Sequence, residues 1–191
     1  MRGTPSIMTK FTLLVAAVGL CAGVSASANP TLQMGIGAIP ARILAAHNAQ
    51  RAAVGAPPLQ WDETLAAHAA SYGPSLAALG HLVHSPRESR PGERENLAAG
   101  WHGTMSPEQL VALWARERQL LVPGSYLFPA TSRTGRWEDI AHYTQMVWPT
   151  TTKVGCAIYA ADWDYLICRY SPPGNKDGKP IFTTASVAFG N

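Results

Sequence analysis

Four ionisable residues sit in apolar surroundings and have chemistry that could work jointly. His84 lies in Leu82-Val83-His84-Ser85, and Glu95 precedes Asn96-Leu97-Ala98. Glu117 falls three residues after Trp114, and His142 opens the nearly uncharged run Tyr143-Thr144-Gln145-Met146-Val147-Trp148. Two imidazoles and two carboxylates make a divalent-metal set: imidazole nitrogen suits zinc and its first-row neighbours, and the carboxylates supply compensating charge. No HExxH or CxxC spacing ties them together. Taken singly, each reads more readily as an ordinary polar residue at a helix end or in a loop. Glu95 and Glu117 could also be the paired carboxylates of a glycosidase, which needs a separation of roughly 5–10 Å that sequence does not give. Ser85 beside His84 is no protease signature, because chain neighbours need not face each other. The chain has neither a GxSxG elbow nor a GxxxxGK[ST] phosphate loop.

The elements that must position these residues are legible in outline. A first helix is expected over residues 40–54: Pro40 suits its first position, Gly55 its exit, and Ile43, Leu44, His47 and Arg51 follow helical spacing. Pro57-Pro58 forces an extended link. Asp62 is a good N-cap for a second helix with Leu65, Ala69 and Tyr72 on one face, which Gly73-Pro74 should end or kink. Residues 80–94 read as a loop carrying His84, and residues 96–101 as a short buried strand. Ser106-Pro107-Glu108-Gln109 starts a third helix, running through Leu110, Leu113, Trp114 and Glu117 to about Leu121. After a Gly/Pro/Ser/Thr loop over 123–136, residues 141–148 form a short helix stopped by Pro149.

Residues 154–160 and 165–171 read as two strands of a hairpin centred on Asp162, which sets Cys156 opposite Cys168. Facing positions bring Cα atoms within about 4.5–5.5 Å, inside disulfide range. Two buried free thiols are the alternative. Helices mixed with a small antiparallel sheet make the class α+β.

The whole chain sets the outer bounds. Its 191 residues suit one globular domain, and 47% apolar content excludes disorder. A formal charge of +3 with no basic run excludes a nucleic-acid partner. Arg2 and Lys10, an apolar stretch over residues 11–24 and Ala26-Ser27-Ala28 make residues 1–28 a secretory signal peptide, with Asn29 as the mature start. The stretch falls short of the roughly 20 residues of a membrane span, so no transmembrane segment is expected after cleavage. Leu20 before Cys21 argues against a lipoprotein. Cys21 leaves with the signal, and the remaining pair suits a bridge in an oxidising compartment, extracellular or periplasmic, better than a nucleophile. Residues 29–39 read as an irregular leader and 183–191 as a tail, and the mature protein is expected to be a monomer.

Taken in order, several segments together resemble a known family. They are His47-Asn48-Ala49-Gln50-Arg51, Leu59-Gln60-Trp61-Asp62, His84-Ser85, Glu95-Asn96-Leu97-Ala98 and Trp114-Ala115-Arg116-Glu117. The His142–Trp148 run, Val154-Gly155-Cys156-Ala157 and Cys168-Arg169-Tyr170-Ser171-Pro172-Pro173-Gly174-Asn175 complete the set. They resemble the CAP, or SCP-like, superfamily of cysteine-rich secretory proteins, antigen 5 and plant pathogenesis-related class 1 proteins, over residues 40–182. The resemblance implies a three-layer α-β-α sandwich with a central antiparallel sheet. It implies a cleft in which His84, Glu95, Glu117 and His142 converge and hold Zn2+ or another divalent cation. A bridge between Cys156 and Cys168 also looks like a family pairing. The implied function is a secreted module that binds a lipid or sterol, or a protein or peptide partner. A metal- or Glu/His-dependent hydrolase, peptidase-like, and a structural cell-envelope protein are the alternatives. Three residues depart from the family pattern: Ala141 before the cleft histidine, Lys176 after Gly174-Asn175, and Arg94, where Gly is usual. Arg94 is expected to alter the cleft rim or pair with a neighbouring acid. The signal and sparse cysteines look bacterial.

Overall fold

The structure is a computed structural model that describes the backbone of residues 30–182 and the side chains of residues 38–182. The signal peptide, the start at Asn29 and the 183–191 tail lie outside the described residues. Helix α1 spans Pro30–Ala52, so the helix begins well before Pro40 and most of the expected leader is helical. Pro40 costs one backbone bond in mid-helix, while Leu32, Gln33, Met34 and Ala38 around it are good helix formers.

Strand β1, Gln60–Trp61, follows the two prolines and is too short to show as a pattern in sequence. Helix α2, Glu63–Leu79, starts at Asp62, whose side chain accepts from the Leu65 N–H at 3.0 Å, and stops at Gly80 in the left-handed conformation. It runs through Gly73-Pro74 instead of ending there. Tyr159 packs where a Cβ at residue 73 would sit, so contact with the sheet outweighs the bond lost at Pro74.

Strand β2, Arg94–Trp101, precedes helix α3, Pro107–Ala115. Ser106 and Gln109 form the expected capping box. The helix tightens to a 3-10 turn at Arg116–Leu120, so Glu117 lies just past α3 and not on it. A second 3-10 turn, Trp137–Ile140, leads into helix α4, Ala141–Val147. Strands β3, Lys153–Ala160, and β4, Trp163–Ser171, form the hairpin.

The sheet order is β1-β3-β4-β2, antiparallel except for the two-residue parallel pairing of β1 with β3. Cys156 pairs with Cys168 in register and is bridged to it, Cα to Cα 4.1 Å. Both faces of the sheet are apolar, and the two-residue period separates them. Leu97, Tyr165 and Ile167 pack with Ala69 and Leu76 of α2. Ala98, Cys156, Leu166, Cys168 and Tyr170 face the other way, onto Ile43, Leu110, Trp114 and Met146 of α1, α3 and α4. The result is a three-layer α-β-α sandwich. Strand β2 is its edge, partly covered by Trp114, whose indole N–H donates to the Leu97 carbonyl at 2.9 Å. Among the described residues, no helix is long and apolar enough to cross a membrane.

Candidate functional site

The four residues come from four different segments. Glu95 is the second residue of edge strand β2, and His84 lies in the loop before it. Glu117 lies in the 3-10 turn after α3, and His142 is the second residue of α4. They meet as two His–Glu pairs. His84 Nδ1 donates to Glu95 Oε1 at 2.8 Å, and His142 Nδ1 donates to Glu117 Oε1 at 2.6 Å. The imidazole centroids are 6.4 Å apart. Using Nδ1 on a carboxylate fixes the tautomer and leaves Nε2 as the nitrogen with a lone pair for a ligand.

Each carboxylate is fastened from behind. The Glu95 side chain is fully buried. It accepts from the Ser85 N–H and hydroxyl, both at 3.0 Å, and lies 2.9 Å from Arg169, its cross-strand neighbour on β4. Burial pushes the Glu95 carboxyl up. The His84 hydrogen bond, the Arg169 charge and the Ser85 N–H together outweigh that and hold it below the usual range, so it is a carboxylate at neutral pH. Glu117 Oε2 accepts the backbone N–H groups of His142 and Tyr143, both at 2.9 Å, and so caps the start of α4. Trp114 stacks beside His142 at 6.1 Å.

His84, Glu95 and His142 line a cavity of about 400 Å3, while Glu117 stands behind His142. Among the described residues, no three His, Cys, Asp or Glu side chains form a ligand group. The tetrad is thus two imidazoles backed by carboxylates, not four side chains around one point. Ser85 Oγ donates to Glu95 Oε2, so this neighbouring hydroxyl is turned onto the carboxylate.

Several residues that hold the site escape a reading by chemical type. His47, fully buried on α1, donates from Nδ1 to the Ile43 carbonyl at 2.8 Å and accepts the Tyr170 hydroxyl on Nε2 at 2.8 Å. Asn96 completes the relay, donating to the Tyr170 oxygen at 3.2 Å and to the His142 carbonyl at 3.0 Å. Burial, with a smaller push from Arg51, lowers the His47 pKa to about 4 against the Ile43 bond that raises it. Arg51, also buried, donates to the carbonyls of Met146, Trp148 and Thr151 at 2.9–3.0 Å, which fixes the far end of α4. Helical spacing puts His47 and Arg51 on one face of α1, but nothing local says what they reach. Arg94 does line the cleft, yet it bonds the Gly174 and Asn175 carbonyls at 3.2 and 3.5 Å and not an acid.

Comparison with known proteins agrees with the fold and places the sequence in a family. The model of the CAP, or cysteine-rich secretory protein, family matches residues 44–170. Pathogenesis-related protein 1C of Nicotiana tabacum is 38% identical over 138 residues, 71% of this chain and 76% of that protein. Pathogenesis-related protein PR-1 type of Sambucus nigra is 37% identical over 137 residues, 70% of this chain and 76% of that one. These plant relatives lend no support to a bacterial source. Among solved structures, the crystal structure of NaASP2 with Zn2+ superposes at TM-score 0.65 with 23% identity, over 75% of this chain and 84% of that one. Na-ASP-1 superposes at 0.63 with 26% identity, over 76% and 41%. The solved structures support the fold and the plant relatives the sequence family: the chain belongs to the CAP family of cysteine-rich secretory proteins.

Proposed function

We propose that the protein is a secreted binding module whose cleft takes a divalent cation, zinc first, on Nε2 of His84 and of His142, and a lipid or peptide partner over it. One observation carries the reading: both imidazoles turn Nδ1 onto a carboxylate, which leaves Nε2 for a ligand, and both line one cavity. Carboxylate behind histidine is the arrangement that orients an imidazole for metal and raises its basicity. The donor set therefore fits the group, with Glu95 and Glu117 as supports and water or a partner completing the coordination. When bound, the ion supplies Lewis acidity and an anchoring charge. Binding is favoured over hydrolysis because Glu95 already accepts from His84, Ser85 and Arg169 and is poorly placed to take a further proton.

Zinc titration by calorimetry tests the reading with wild type, His84→Ala and His142→Ala at pH 7.5 and pH 5.5. Wild type should bind one ion, and either variant should lose at least tenfold in affinity. Binding should be weaker at pH 5.5 than at pH 7.5, because protons compete with the ion for imidazole nitrogen. Equal binding by all three folded proteins would leave the histidines as structural residues.

A further inference from the structure

The cleft carries a charge pattern that the His–Glu pairs do not explain. Arg87, Arg90 and Arg94 line the same cavity as His84 and His142. Arg90 is 7% exposed and donates to the Ser85 and Glu93 carbonyls at 3.1 and 3.4 Å. Arg94 is held by the Gly174 and Asn175 carbonyls. These acceptors are all main-chain oxygens, which position a guanidinium without neutralising it. Among the described residues, none of the three arginines forms an ion pair within 4.0 Å. Two acids share the lining, Glu95 and Asp177. Glu95 is already engaged by His84, Ser85 and Arg169, so Asp177 is the one acid left to offset three guanidiniums.

Another part of the same lining is of opposite character. Phe128, Pro129 and Trp137 supply it, with Phe128 edge-on to Trp137 at 6.1 Å and Trp137 47% exposed. A cavity of about 400 Å3 is far larger than a bare phosphate and matches a small organic molecule. We infer that the cleft binds an amphipathic anion: a phosphate, sulfate or carboxylate head among Arg87, Arg90 and Arg94, with a flat apolar body against Phe128 and Trp137. Guanidinium forks bind such heads through paired, charge-assisted hydrogen bonds, and aromatic faces bury the body. The inference rests on the cleft being a binding site, and it requires no metal.

The probes are phenyl phosphate, inorganic phosphate and phenol, titrated calorimetrically into the full protein in metal-free, low-salt buffer. Phenyl phosphate should bind at least tenfold more tightly than inorganic phosphate, and phenol most weakly. The double variant Arg87→Gln/Arg94→Gln should lose at least tenfold for phenyl phosphate while its zinc affinity does not fall, since two positive charges leave the same cavity. Trp137→Ala should bring phenyl phosphate down to the inorganic phosphate level. Arg90 is left intact because its buried bonds support the loop. Equal binding of phenol and phenyl phosphate, no binding of any probe, or an unaffected double variant would overturn the inference. Each of those results with zinc binding retained leaves the metal reading standing, and loss of zinc binding alone leaves the anion site standing.

Discussion

His47 has no solvent to share its charge with, and its two ring nitrogens are spoken for by Ile43 and Tyr170. Its folded pKa of about 4 lies below the ordinary 6.5, so the unfolded chain takes the proton first. The stability it allows is complete above pH 6.5, falls as pH drops from 6.5 to 4, and falls no further below that. At about 1.4 kcal/mol per unit the loss is about 3 kcal/mol. His47→Gln is destabilised at pH 7 but removes this titration. Its gap to wild type, read by urea unfolding, should narrow by about 3 kcal/mol between pH 7 and pH 4, and a constant gap would show that His47 does not titrate in that window. At this scale the sequence offers residue types and withholds partners. His84 and Glu95 stand 11 residues apart, and Glu117 and His142 stand 25 apart, so neither pairing follows from a local repeat. Their chemistry alone groups the four as a candidate metal set, and the resemblance of whole segments is what implies one shared cleft. Arg169 joins them through strand register, which a sequence read in one dimension does not display.

Elements whose signals are local were legible. The Asp62 and Ser106 caps, the hairpin register through Cys156 and Cys168, and the short helix before Pro149 all rest on neighbours within a few residues. Where tertiary contact decides, the reading failed: α2 passes Pro74, and β1 is a strand only because β3 lies alongside it; α1 also passes Pro40, which the sequence suggests as its start. The contact of α2 with β3 has a sharp requirement. A Cβ at Gly155 would collide with the backbone nitrogen of Ala66 and the carbonyl oxygen of Asp62. Backbone in a capped helix start cannot turn aside as a side-chain tip can. Gly155→Ala should therefore cost about 3 kcal/mol or more, seen as a fall in the thermal midpoint. A midpoint within 2 °C of wild type would mean that α2 rides on the sheet more loosely than the structure shows.

The whole molecule is a sheet closed on both faces, with its one described disulfide inside it. Cys156 and Cys168 are 6% and 0% exposed, so a reductant must wait for the sheet to open. The bridge closes a short loop, worth about 3 kcal/mol in the chain-entropy model. Urea unfolding with and without reductant should show that difference, and reductant alone should leave the native bridge intact for hours at neutral pH. Rapid reduction without denaturant would show that the hairpin opens on its own. Arg51 carries a different consequence, for the order in which the chain comes together. Its Nε donates to the nearby Pro57 carbonyl, but the acceptors of its two terminal nitrogens lie 95, 97 and 100 residues further along. As the chain emerges N-terminus first, this guanidinium stays in water until Thr151 has been made, and α1 cannot lock onto α4 before then. A nascent chain cut short of that point has the first helix, the first His–Glu pair and the Pro57 carbonyl in hand, yet lacks the three carbonyls that take up the rest of the guanidinium. Native closure of α1 on α4 is thereby deferred until Thr151 has been made.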